Sequence, residues 1–430
     1  MSHRSRQLRV SSLARVEGEG ALRIVVDDGR VVRAELNIYE PPRFFEAFLR
    51  GRAYTEPPDI TARICGICPV AYQTSACNAL EAVCGIELDG QLAALRRLMY
   101  CGEWIASHAL HIYLLHIPDF LGYPDAITLA TDHRQLVEHG LAVKKAGNSL
   151  LALIGGRPIH PINVRVGGFY AVPTRADLEP IAEQLRRAQE YAIETAQFAA
   201  GFEFPDLDLD HDLLAAGTAN GYPIENGVVV TSTGTSFPAA DFGAHIVEEQ
   251  VPHSTALHAR LDGKHYLTGP LARYTLNSHR LSTHAAEVAA AVGLGPECRN
   301  PFRSIVVRAV EVVYAIDEAL RLIGDYEQPA RPAVACAPRA GVGHGISEAP
   351  RGLLYHRYDV DDEGIVRAAT IVPPTSQNQA AIEDDLHRTV ENNLDLDDAA
   401  LTRLCERTIR NYDPCISCSS HFLELDMVRR

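Results

Sequence analysis

Two Cys-x-x-Cys turns stand near opposite ends of this 430-residue sequence. Cys65 and Cys68 lie in Arg63-Ile64-Cys65-Gly66-Ile67-Cys68-Pro69, and Cys415 and Cys418 in Asp413-Pro414-Cys415-Ile416-Ser417-Cys418. Each turn can aim two sulfurs at one soft ion, so together they can supply four thiolates to nickel, iron or zinc. A zinc ribbon closes over roughly 15–20 residues, whereas Cys415 lies 347 positions after Cys68. The site must therefore be assembled by the folding of nearly the whole chain. A structural four-cysteine zinc site is the other reading of this ligand set, and spacing alone gives no sulfur an individual role.

Composition narrows the classes. With 47% apolar and 22% charged residues, the chain can bury a large core. A formal charge of −15 and the lack of a long basic run argue against nucleic acid. No apolar run approaches a membrane span, and Met1 to Val10 has no apolar signal core, so a reducing, cytoplasmic location is expected. Six further cysteines, Cys77, Cys84, Cys101, Cys298, Cys336 and Cys405, are not spaced to hold an iron-sulfur cluster and read as core packing.

The elements that must carry the two turns can be read from periodicity and punctuation. Ala21 to Val26 and Val31 to Ile38 alternate as strands joined by Asp27-Asp28-Gly29-Arg30, a hairpin signal, so a small sheet is expected over about 7–38. Helices dominate beyond it. Asp89 can cap one running toward His116, and residues 176–200 form another. A third starts at Asn300-Pro301, carries Ile305, Ala309, Val312, Val313, Ile316, Leu320 and Ile323 on one face, and stops at Gly324. Stretches near 224–236 and 330–375 read as β-rich. The expected fold is mainly α with peripheral β, a helical bundle with a small N-terminal sheet, over one domain spanning 1–430. Gly341-x-Gly343-x-Gly345 imitates a phosphate loop but lacks its lysine, and no nicotinamide fingerprint is present.

Taken with Arg15-Val16-Glu17-Gly18 and Glu348-Ala349-Pro350-Arg351-Gly352, the two cysteine motifs make the chain resemble the large subunit of a nickel-iron hydrogenase. Gly156-Arg157-Pro158-Ile159-His160-Pro161 and Gly269-Pro270-Leu271-Ala272-Arg273 extend the resemblance over nearly the whole length. The wording Cys68-Pro69-Val70-Ala71-Tyr72-Gln73 makes it most similar to the cytoplasmic, NAD(P)-linked branch.

The resemblance implies reversible heterolytic oxidation of H2, with Cys65 and Cys415 as terminal nickel ligands. Cys68 and Cys418 would bridge to an iron carrying carbon monoxide and cyanide. Cys415 would take the first proton and Glu17 would relay it. Pro350, Arg351 and the hydroxyl of Thr375 would surround the iron's small ligands, and Asp413 would support the site beside Cys415. Glu46 and His421 would bind a magnesium ion within a C-terminal metal-binding segment at about 411–421. A protease would remove the tail 422–430 after metal insertion. Implied partners are a small subunit with iron-sulfur clusters, diaphorase-type subunits holding any nicotinamide or flavin, a maturation chaperone and a C-terminal endopeptidase. A hydrogen sensor and a metal-free respiratory-complex-like subunit are the rival readings.

Three positions depart from that family pattern. Glu19 replaces a histidine after the Glu17-Gly18 pair, Tyr72 stands where a histidine follows the second cysteine, and Ser107 falls where an aspartate is usual. The loss at Ser107 implies a less firmly oriented Arg351. His108, His111 and His116 read as polar points on a buried helix.

Overall fold

The computed structural model describes residues 5–41, 44–208 and 210–420. Strands Ser5–Val10, Gly20–Asp27 and Arg30–Ile38 form an antiparallel sheet in chain order. The hairpin turns where expected. Asp28 and Gly29 both take positive φ, 47° and 75°, the backbone a tight two-residue turn demands. Leu22, Ile24 and Val26 alternate into the core.

The long helices Pro69–Cys84, Gly90–Ala109, Arg134–Gly155, Arg175–Ala200 and Ser304–Gly324 form the bundle, while the N-terminal sheet packs on the helix Pro374–Glu391. Ser304–Gly324 is apolar on almost every side, which is why it runs through the interior rather than along the surface. One large hydrophobic cluster extends from Leu8 to Cys418 and joins the N-terminal sheet, these helices and the second cysteine turn. Among the described residues, no helix is long and apolar enough to cross a membrane.

The helix after Asp89 differs from expectation at its end. Its α-helical part stops at Ala109, and Leu110–His116 is a π-helix. In an α-helix His111 and His116 would point about 140° apart. The wider winding brings their rings to 4.8 Å, so that both reach the residues just before the second cysteine turn. His111 Nε2 meets the Arg410 carbonyl at 2.8 Å, and His116 Nε2 meets Asn411 Oδ1 at 3.1 Å.

A second antiparallel sheet contains Gly341–Ala349, Gly352–Val360 and Val366–Val372. Its first strand holds the Gly-x-Gly-x-Gly run, whose second and third glycines serve packing. A Cβ on Gly343 would lie 1.9 Å from the Ala79 carbonyl oxygen, and one on Gly345 2.3 Å from that of Ser75. Bare backbone there lets the strand lie directly on the helix that follows Cys68. The same approach corrects the reading of two cysteines. Cys84 and Cys336 form a disulfide with Cα atoms 5.9 Å apart, because the segment entering the strand passes the end of that helix. Cys77, Cys101, Cys298 and Cys405 are free and buried, as packing residues.

Candidate metal centre

The local sequence fixes how each cysteine turn presents its sulfurs. Cys68 occupies the cap position of the helix Pro69–Cys84, with Pro69 in the first turn where no amide hydrogen is needed. Cys65 lies in the preceding turn, its sulfur accepting the Ile67 N–H at 3.2 Å. Cys415 caps the short helix Ile416–Ser419, and Cys418 lies one turn on. Folding brings the four sulfurs, all buried, within 4.8 Å of one another. They meet in matched pairs, Cys65 with Cys415 at 3.3 Å and Cys68 with Cys418 at 3.6 Å, while Cys415 and Cys418 approach to 2.7 Å. Thiol contacts from Cys415, Cys418 and Cys68 pull Cys65 well below the usual thiol range, whereas burial pushes Cys415 and Cys418 up. Four crowded, buried sulfurs are a donor set for soft metal.

The Arg-Val-Glu-Gly motif is threaded against the second turn. Glu17 pairs with Cys415 in a parallel bridge, its carbonyl accepting the Ile416 N–H at 2.9 Å. Its carboxylate oxygen Oε2 accepts from Cys415 Sγ at 3.2 Å and from the Ser417 N–H at 3.0 Å. Gly18, at φ 91°, makes this approach possible, since a Cβ there would lie 2.7 Å from Cβ of Ile416. Arg15 meets Asp119 at 2.5 Å, and Asp119 also receives two bonds from Arg410, at 2.6 and 2.8 Å. The N-terminal motif and the helix leading to Cys415 thus share one carboxylate.

Arg351 is buried and turned toward the cysteines by Asp413. Its Nε donates to the Asp413 carbonyl at 2.6 Å and its Nη2 to Oδ1 at 3.0 Å. Burial opposes its charge, but Asp413 and the sulfurs of Cys415, Cys68 and Cys65 hold it well above the usual arginine range. The turn bearing Arg351 is gripped from behind by Arg273. That guanidinium donates to the carbonyls of Ala349 at 2.9 Å and Pro350 at 3.3 Å, while pairing with Glu348 at 2.7 Å and, through two nitrogens, with Glu311 at 2.7 and 2.8 Å. Gly269 opens the same motif at φ 111°, where a Cβ would come within 2.7 Å of the Arg351 carbonyl oxygen. Thr375, buried at the start of the helix Pro374–Glu391, accepts the Cys415 N–H at 3.1 Å.

Other expected positions fall as follows. Glu46, on the helix Phe45–Leu49, accepts the Ile371 N–H at 2.7 Å and lines a cavity of about 300 Å³ with Phe45, Ile371, Ser417, Cys418 and Ser420. His421, its expected companion, lies outside the described residues, as does the tail 422–430. The Ser107 hydroxyl is buried and, among the described residues, without a partner; Arg351 is nonetheless held, by the two bonds it donates to Asp413. Burial and the charge of the Cys418 sulfur push the Tyr72 phenol well up, so it remains an O–H at neutral pH. The histidine-proline segment braces the first turn, with His160 Nδ1 at 2.6 Å from the Ala62 carbonyl.

Sequence reading missed several buried carboxylates, two of them behind the cysteine turns. Glu103 accepts the Val70 and Ala71 N–H groups at 2.6 and 3.1 Å, beneath the helix that starts at Cys68, and burial pushes its pKa well up. Asp119 is the other. Their only signal was an acid inside an apolar run, as in Cys101-Gly102-Glu103-Trp104-Ile105.

Comparison with known proteins bears on this geometry directly. A family profile described as nickel-dependent hydrogenase matches residues 43–139 and 230–421. The alpha subunit of sulfhydrogenase 1 from Pyrococcus furiosus is 33% identical over 423 residues, covering 97% of this chain and 98% of its own. The chain belongs to the nickel-dependent hydrogenase family. The alpha subunit of sulfhydrogenase 2 from the same organism is also 33% identical, over 421 residues, covering 97% and 100%. Among solved structures, an NAD+-reducing nickel-iron hydrogenase in the H2-reduced state aligns with TM-score 0.87 at 27% identity, covering 97% and 99%. A nickel-iron-selenium hydrogenase from Desulfomicrobium baculatum shares the fold, with TM-score 0.78 at 21% identity over 97% and 100%. The hydrogenase is thus a catalytic large subunit, and its four converging sulfurs fit the nickel-iron centre that the family implies. Their burial and matched pairing suit soft ions closed off from water.

Proposed function

We propose that this subunit oxidises H2 reversibly and heterolytically, with Cys65 and Cys415 as terminal nickel ligands and Cys68 and Cys418 bridging to an iron that carries carbon monoxide and cyanide. When bound, such a centre supplies the soft Lewis acid that polarises H2. The observation that carries the reading is the 3.2 Å contact between Cys415 Sγ and Glu17 Oε2. The Cys415 sulfur accepts the proton, and Glu17 takes it onward from the buried pocket. Arg351, charged and fixed by Asp413 through Nε and Nη2, keeps a buried Nη1 without a partner among the described residues, a donor for the small ligands of the iron. Pro350 shapes the turn that presents it, and Thr375 orients the Cys415 backbone through its hydroxyl.

Electrons leave through a small subunit with iron-sulfur clusters and pass through diaphorase-type subunits to NAD(P) or a similar acceptor. The likeness to an NAD+-reducing enzyme supports that branch. Glu46 and His421 bind a divalent ion, magnesium, that ties the C-terminal segment down, and the active complex resides in the cytoplasm after chaperone-assisted loading and removal of 422–430.

Elemental analysis of the purified complex, with infrared spectroscopy, tests the centre. One nickel per large subunit together with carbonyl and cyanide stretching bands is expected. Zinc alone, without those bands, would overturn the proposal.

A further inference from the structure

A second set of ligating side chains converges along the helix Pro374–Glu391. His253 follows the strand Ile246–Glu249, His258 opens the strand His258–Leu261, and Glu383 projects from the helix between them and the N-terminal sheet. One ring nitrogen of each histidine and a carboxylate oxygen of Glu383 lie within 4.8 Å of one another. His253 Nε2 is 2.7 Å from Glu383 Oε1, which also accepts the Leu36 N–H at 2.9 Å. The two imidazoles meet edge to face, with centroids 5.6 Å apart.

A hydrogen-bonded His253–Glu383 pair would by itself tie the loop to the helix and the sheet. It leaves His258 unexplained. That side chain is 4% exposed, and among the described residues its Nε2 has no hydrogen-bond partner. A buried polar nitrogen left unpaired is costly, and an apolar side chain would fill the same space without that cost. Burial keeps the ring neutral, its pKa pushed down to about 4, so it offers a lone pair rather than a charge.

We propose that His253, His258 and Glu383 form a second metal site, taking a divalent first-row transition ion of the zinc type with water in the remaining position. Two imidazoles and one carboxylate are a borderline donor set that suits zinc and disfavours magnesium or calcium. Tetrahedral zinc with bonds of about 2.0–2.1 Å holds its ligand atoms about 3.3 Å apart. The present separations, 2.7 Å between His253 and Glu383 and no more than 4.8 Å for any pair, lie within about 1.5 Å of that value. Side-chain adjustment alone can therefore seat the ion.

The site shares no residue with the four-cysteine centre. Glu383 lies eight residues beyond Thr375 on one helix, a rise of about 12 Å. Its work is structural. Ala256, between the two histidines, bridges to Ser420, and Thr255 donates to the Ile38 carbonyl at 2.8 Å. An ion here pins the loop 253–258, the N-terminal sheet and the helix around the C-terminal segment.

The test uses the purified complex, freed of loose metal and dialysed against ZnCl2. Elemental analysis and zinc K-edge absorption are compared for wild type, His258→Gln and Glu383→Gln. The proposal expects about one zinc per large subunit, ligated by nitrogen and oxygen with imidazole scattering and no sulfur. Both variants should lose that zinc while keeping wild-type nickel, and ZnCl2 should raise the melting temperature of wild type only. Zinc persisting in both variants, absent from wild type or bound by sulfur alone would each overturn it. If His258→Gln also loses nickel through misfolding, Glu383→Gln decides, because its amide oxygen can still accept the Leu36 N–H.

Discussion

At the scale of single residues, the site is organised around where one proton can go. Among the described residues Cys415 Sγ has one carboxylate in contact, Glu17 Oε2, and that oxygen is held by the Ser417 N–H at 3.0 Å. The Ser417 N–H holds the carboxylate and the Ile416 N–H holds the Glu17 main chain, so replacing the acid with an amide preserves shape while removing the titratable group. Glu17→Gln should therefore retain wild-type nickel content and slow H2/D2O isotope exchange by roughly 10²-fold or more, the usual yield of a placed proton carrier. Metal analysis and mass-spectrometric exchange rates on the same preparation check this. Exchange at the wild-type rate would mean that the proton leaves Cys415 by another route.

Elements matter here through how closely they can approach. The strand Gly341–Ala349 ends at the Arg351 turn, and it lies on the helix begun by Cys68 because Gly343 and Gly345 carry no side chains. Gly343→Ala forces a methyl against the Ala79 carbonyl, an overpacking that costs about 1–3 kcal/mol. It should lower the melting temperature and, by moving the Arg351 turn relative to Cys68, reduce nickel content; unchanged values for both would show that the contact is slack. These glycines were visible in the sequence as a poor imitation of a phosphate loop, but their packing role appears only with the helix beneath them. The N-terminal hairpin was legible because Asp28-Gly29 sits between two alternating runs. The π-helix was not, since the apolar pattern continues unbroken from Gly90–Ala109 into Leu110–His116. Nor was the Cys84–Cys336 pairing, which joins residues 252 positions apart. Asp119 and Glu103 escaped because acids normally face water, and only the structure reveals the guanidinium and amide groups that hold them inside. Glu311 belongs with them: burial opposes its charge, yet Arg273 holds its carboxyl down to about 2.

Over the whole molecule, the four cysteines were legible as one site because their type and flanking residues match, while their convergence depends on every helix between them. A loop from Cys68 to Cys415 has an entropic closure cost on the order of 5 kcal/mol, and burial in the large hydrophobic cluster, which includes all four cysteines, offsets it. What metal adds is local. Residues 413–420 are tied to the remainder by the Glu17 bridge, the Arg351–Asp413 bonds, the Thr375 contact and the Ala256–Ser420 bridge, most of them made by backbone at the rim of the pocket. Metal-ligand bonds would couple this segment to the first cysteine turn and so to the core. Protein matured without nickel should therefore keep slow amide exchange in the helices Gly90–Ala109 and Ser304–Gly324, while residues 412–420 exchange roughly 10-fold faster or more than in the loaded enzyme, because local opening no longer requires breaking sulfur-metal bonds. Hydrogen-exchange mass spectrometry of the two preparations measures this, and equal protection of 412–420 in both would mean that the hydrogen bonds alone seat the second cysteine turn.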